Sequence, residues 1–80
     1  MKQTLHQMTA AVLREVVAKH VSAEATPEVC GRIKREVIQI MRSRHGVNWQ
    51  PYARRIRVEF LRGNAPNITI PPELLKRTLH

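Results

Sequence analysis

From Leu5 to Val17 the apolar residues recur at helical spacing. Leu5, Met8, Val12 and Val16 fall on one stripe, with Leu13 and Val17 beside it. Gln7, Arg14 and Lys19 take the opposite face, and Thr4 stands where an N-cap belongs. The pattern predicts a helix near residues 4–21. Residues 22–26 loosen the period and read as a connection. Thr26-Pro27-Glu28 then combines a capping hydroxyl, a proline suited to the first helical position and an acid at the positive end of the dipole. Val29, Ile33, Val37, Ile40 and Met41 carry the stripe onward. Arg42, Arg44 and His45 make a basic last turn, and Gly46 supplies the stop. A second helix is predicted over 27–45.

Residues 47–62 fit two periods. As a helix, Asn48 is the cap, Pro51 lies in the first turn, and Val47 and Tyr52 hold the positions of a hydrophobic staple. Trp49, Ala53, Ile56 and Phe60 then share one face, and Gly63 ends the element. As a strand, Arg55-Ile56-Arg57-Val58-Glu59-Phe60 alternates, and Gly63-Asn64-Ala65-Pro66-Asn67 would turn the chain back onto Ile68-Thr69-Ile70. The start and stop signals favour the helix. The fold expected is therefore all-α, one small domain over 1–80, with helices near 4–21, 27–45, 49–62 and a short one at 71–78. The alternative is α+β, with a hairpin from 54–61 and 67–70. The expected core is Leu5, Met8, Val12, Val16, Val29, Ile33, Val37, Ile40, Met41, Trp49, Ile56 and Phe60.

Charge changes this picture more than composition does. Fourteen Lys and Arg face six Glu and no Asp, a net charge of +8, and ten of the bases are Arg. Residues 1–40 hold six bases and four acids, whereas residues 41–80 hold eight bases and two acids. Such self-repulsion points to a polyanionic partner. Between residues 42 and 62 lie Arg42, Arg44, Arg54, Arg55, Arg57 and Arg62 against Glu59 alone, with Trp49 and Tyr52 among them. Guanidinium grips phosphate with two N–H groups and stacks on rings. On a helix over 49–62, Arg54, Arg55 and Arg62 would lie opposite the apolar stripe, the layout of a groove-binding helix. The bland reading is a solvated helix face. Trp49 is expected to anchor the core, because Trp49, Tyr52 and Phe60 are the only aromatics; Tyr52 is expected to be partly exposed and available for stacking.

Catalytic and metal chemistry find little support. His6, His20, His45 and His80 show no ligand spacing, and Cys30 alone completes neither a disulfide nor a zinc site. No glycine-rich phosphate loop is present, and Ser22 and Ser43 have no evident base. No transmembrane run or signal-peptide pattern occurs. Helix-turn-helix spacing is met poorly, since 27–45 is longer than such units need. Asn67 to Leu75 resembles the opening of ribbon-helix-helix repressors over nine residues of common types, too little to carry an expectation.

The function expected is nucleic-acid binding by a cytoplasmic, non-catalytic regulatory or accessory protein, such as a transcription regulator. DNA is favoured over RNA. Phosphate contacts would come from Arg42, Arg44, Arg54, Arg55, Arg57 and Arg62, with Tyr52 beside them. Neither a cofactor, a metal, a membrane nor a small-molecule substrate is expected. The alternative is an adaptor docking on an acidic protein surface. A homodimer is expected because doubled apolar positions such as Val16–Val17 and Val37–Ile38 give the first two helices wide apolar faces.

Overall fold

The computed structural model describes residues 4–20 and 24–75. Helix α1 spans Leu5–Lys19 and helix α2 spans Pro27–His45. Both begin as their caps dictate. Thr4 and Gln7 form a reciprocal capping box, with the Gln7 N–H donating to Thr4 Oγ1 at 3.1 Å and the Thr4 N–H to Gln7 Oε1 at 2.9 Å. The Thr26 hydroxyl accepts from the Val29 N–H at 3.2 Å. α2 stops at Gly46, whose φ of 68° is left-handed. There the Gly46 N–H returns to the Arg42 carbonyl, the αL form of helix closure, and the Val47 N–H to that of Met41, which turns Val47 into the core.

The two helices pack together and run in opposite senses, since Glu15 meets Arg44 while His20, further along α1, meets the earlier Glu36. Between them lie Leu5, Val12, Leu13 and Val16 of α1 and Ile33, Val37, Ile38 and Met41 of α2, all buried. Among the described residues the one buried polar side chain, Thr9, donates to the Leu5 carbonyl at 2.6 Å, and no buried side-chain polar atom lacks a partner.

The predicted helix over 49–62 does not form, and the fold is α+β rather than all-α. Asn48 is not the cap expected: its Oδ1 accepts from the Gln50 N–H at 3.3 Å, but the cap position falls to Trp49, with no side-chain cap bond, and the chain continues as a 3-10 helix, Gln50–Arg55. At Ile56 the backbone becomes extended (φ −97°, ψ 131°) and enters strand β1, Arg57–Phe60. A turn at Arg62–Asn64, with Gly63 at φ 74°, leads to strand β2, Pro66–Thr69, antiparallel to β1 with Val58 opposite Ile68 and Glu59 opposite Asn67. Burial decides between the two periods. A helix presenting Ile56 and Phe60 inward turns Val58 to solvent, whereas a strand puts all three on one face. Ile56 and Val58 are 2% and 7% exposed, and Phe60 is half-buried against them. Pro66 opens β2 opposite Phe60, a position that faces away from β1, where its missing N–H costs no ladder bond.

The hairpin closes the third side of the core, β1 against α2 and β2 against α1. The short helix α3, Pro72–Leu75, adds Leu74, which is buried. Residues 76–78 of the helix predicted over 71–78 lie outside the described residues, and the helix predicted over 4–21 stops at Lys19, with His20 as its C-cap. Of the expected core, Leu5, Val12, Val16, Ile33, Val37, Met41, Trp49 and Ile56 are buried, and Met8, Val29, Ile40 and Phe60 are half-buried against it. The surplus apolar faces of α1 and α2 are met by the hairpin, and Leu61 is the large hydrophobic left exposed among the described residues.

Ile33 has no solvent exposure and sits among residues from both helices and the hairpin. Ile33→Ala is expected to lower unfolding free energy by about 2–4 kcal/mol. Urea titration followed by circular dichroism reads this directly, and an unchanged midpoint would show that Ile33 is not central to the packing.

Candidate nucleic-acid interface

The extended course of residues 56–60 redistributes the arginines. Arg54 and Arg55 close the 3-10 helix, Arg57 opens β1 and Arg62 sits in the hairpin turn, all exposed. The common helical face expected for Arg54, Arg55 and Arg62 does not exist. Arg42 and Arg44 lie in the last turn of α2. Tyr52 is half-buried and packed on the core, and Trp49, at 3% exposure, belongs to the core itself.

Two of these guanidiniums are already engaged. Arg44 makes a two-pronged contact with Glu15 that ties α2 to α1, with Nη2 at 3.2 Å from Oε1. Arg55 pairs with Glu73 at the start of α3. The hydrogen bond from Arg44, more than the bare charge, holds the Glu15 carboxyl below its ordinary value of 4.5 and raises Arg44 in turn.

Arg54 and Arg57 are brought together, and with them residues that the density of arginines in 42–62 did not single out. A groove of 300 Å³ runs between α2 and β1, with Gly31 and Lys34 on the helix side and Arg54, Ile56, Arg57 and Val58 opposite. It shares Pro27, Gly31 and Lys34 with a second open depression of 430 Å³ along α2, which adds Glu28, Arg32 and Arg35. Residues 27, 31 and 34 form one row of a helix, so the two hollows meet along that row. Around them stand five cations, Arg32, Lys34, Arg35, Arg54 and Arg57, against the single acid Glu28. Among the described residues, none of the four arginines forms an ion pair.

Lys34 fixes the geometry. Its ammonium donates to the Ala53 carbonyl at 3.0 Å, at the end of the 3-10 helix, where the partial negative charge of the last carbonyls favours a cation. The same carbonyl accepts from the Ile56 N–H at 3.2 Å. One contact thus sets the distance between α2 and the segment carrying Arg54 and Arg57, and it leaves two ammonium donors for a ligand. By contrast Arg44 is thirteen residues beyond Gly31 on α2, about 20 Å along the axis at 1.5 Å per residue. The groove and the Arg42–Arg44 turn are separate surfaces.

The one signal in the sequence that could have found these residues is Gly31 inside the second helix, which the reading of the sequence passed over. A glycine inside a helix costs about 1 kcal/mol relative to alanine, and a Cβ added at this one would meet nothing within 4 Å. Packing therefore gives no reason for it.

Comparisons of the chain with protein-family models, curated proteins and solved structures give no match. Among the described residues no helix is long and apolar enough to cross a membrane, and no three His, Cys, Asp or Glu side chains gather as a metal site.

Because Glu15 is held below 4.5, the stability it contributes through Arg44 is present at neutral pH and is lost as pH falls through its lowered value in the folded state. Arg44→Gln is expected to melt below the wild type at pH 7, with the gap closing in strongly acidic buffer. Melting curves across that range test it; a gap independent of pH would place the effect of Arg44 elsewhere.

Proposed function

We propose that this chain is a nucleic-acid-binding domain, non-catalytic and regulatory or accessory in role, that holds phosphates in the groove between α2 and β1. The observation that carries the reading is the gathering of cations from two separate stretches of sequence on two adjoining hollows: Lys34, Arg54 and Arg57 line the groove, and Arg32 and Arg35 line the depression that shares Pro27, Gly31 and Lys34 with it, with Glu28 as the one acid. Cations assembled from distant positions repel one another in the free protein, and a polyanion relieves that repulsion. Exposed guanidinium is suited to phosphate because its planar fork makes paired hydrogen bonds.

The rival reading, an acidic protein segment, draws on the same cations. It is favoured by one further feature, the unpaired outer edge of β1, to which an extended peptide would add as a strand.

Fluorescence anisotropy at several salt concentrations separates the residues. Arg54→Ala and Arg57→Ala are each expected to weaken binding across all sequences and to reduce the slope of log K against log salt by about one unit. Arg44→Ala and Arg55→Ala are expected to change it less, because Glu15 and Glu73 already hold those side chains. Glu28→Gln is expected to tighten binding. If Arg54, Arg57, Arg32 and Arg35 can all be removed without loss, the reading fails. Displacement of the oligonucleotide by polyglutamate at a lower concentration than by competing nucleic acid would transfer the groove to the acidic-protein reading.

A further inference from the structure

We infer that the groove takes a single nucleic-acid strand, laid with its sugar–phosphate backbone across Gly31 between the bases of α2 and those of residues 54–57. This rests on the phosphate-binding reading above and adds to it the form of the nucleic acid and the place where it lies.

The first ground is shape. A helix that reads duplex DNA must stand out from its surroundings to enter the major groove. The row Pro27, Gly31, Lys34 instead lines two adjoining hollows, one bordered by Arg32 and Arg35 and the other by Arg54, Arg57 and Val58. A trough flanked by cations follows one extended backbone, which single strands can present and a duplex cannot without unpairing.

The second ground is Gly31. Its backbone is ordinary helix, no positive φ requires glycine, and no neighbour would touch a Cβ there. What any larger side chain would occupy is the open space of the groove itself. A bare stretch of helix at that point allows a ligand backbone to come close to both cationic walls at once.

The third ground is the edge of β1. The Leu61 N–H donates to the Ala65 carbonyl at 2.8 Å, and the register continues from that pair without a break through Phe60–Pro66 to Arg57–Thr69. Backbone groups alternate along an antiparallel ladder, so Arg57, Glu59 and Leu61 face β2 while Val58 and Phe60 turn their N–H and C=O outward. Val58 lines the groove. The Val58 amide, turned away from β2, thus belongs to a residue that lines the same groove as Lys34, Arg54 and Arg57. The first turn of α2, where the helix dipole is positive, begins at Pro27, which also lines it.

The deciding experiment measures the wild type and Gly31→Leu against short oligo(dT), oligo(rU) and a duplex of equal length at low salt. The wild type is expected to prefer the single strands. Gly31→Leu is expected to stay folded, with a melting temperature no lower than the wild type, and to lose about ten-fold in single-strand affinity, the scale of crowding an added side chain into a filled site. Gly31→Ala, the milder variant, should fall between them and keeps the test decisive if the leucine variant does not fold. Amide shift mapping on the wild type gives the position independently, with the largest changes expected at Gly31 and Val58. Equal or better binding of duplex, undiminished binding by both Gly31 variants, or shifts confined to Arg42 and Arg62 would overturn the inference while leaving the phosphate reading in place. No binding of any nucleic acid by the wild type would overturn both.

Discussion

Ile56 and Val58 are two residues apart, and both are almost completely withdrawn from water. Only an extended backbone turns both side chains to one side. In a chain with three aromatics and an aliphatic core, leaving Val58 in solvent would forfeit a substantial share of the apolar area the hairpin side can supply, on the order of 1.5–3 kcal/mol for one such side chain. The demand for burial therefore sets the period of residues 56–60, and the period sets everything around it. Arg57 and Glu59 are forced outward, Arg54 is placed at the corner where the 3-10 helix meets the strand, and Phe60 lands opposite Pro66 and against the core. The groove results from this arrangement, because β1 approaches α2 with Val58 committed to the core and its outer edge left open.

The first two helices were legible because their signals are local. Thr4, Thr26, Pro27 and Gly46 act on backbone groups a few residues away, and each does in the folded chain what its chemistry implies. Residues 47–62 carried equally good local signals, and a helical turn did start at Gln50 and Pro51. It was ended not by a local breaker but by the inward pull on Val58, which depends on α2 lying across from it. The alternation from Arg55 to Phe60 recorded that pull, but capping signals gave no measure of its strength. The candidate site was legible in part for the same reason. A run of arginines is visible as a run, so Arg54 and Arg57 stood out. Arg32, Lys34 and Arg35 join them only through the fold, by way of the Lys34–Ala53 contact across nineteen residues.

The six glutamates help to sort the cations. Glu15 engages Arg44 between the two helices, Glu36 meets His20 where α1 ends, and Glu73 meets Arg55 beside α3. Glu59 accepts from the Asn67 side chain across the hairpin at 3.3 Å. These pairs join elements of the fold. Each is exposed or partly so, and none is a large source of stability by itself, but together they mark which cations have an internal task. Among the described residues, Arg32, Arg35, Arg54 and Arg57 form no ion pair, as is also true of Arg14, Arg42 and Arg62; what sets the first four apart is that they line adjoining hollows. The chain holds no Asp, and of its acids only Glu28 borders the groove. Four of the six acids are thus engaged where elements of the fold meet, and Glu28 alone faces the cations around the two hollows.

Two features of the groove work against the stability of the free protein. Gly31 weakens α2 at a position where alanine would fit, and the clustered cations repel one another across a short gap. Neither is repaired by packing, although the surrounding core is closed and its polar groups are satisfied. Costs of this kind gather at sites where a protein meets a ligand, because the partner removes them. A bound phosphate chain would neutralise the cations and fill the space above Gly31 in one step. The stabilisation would then grow with ligand concentration in the manner of any species that binds only the folded state. On this argument the two apparent defects of α2 and β1 share one cause, and it lies in the partner rather than in the core.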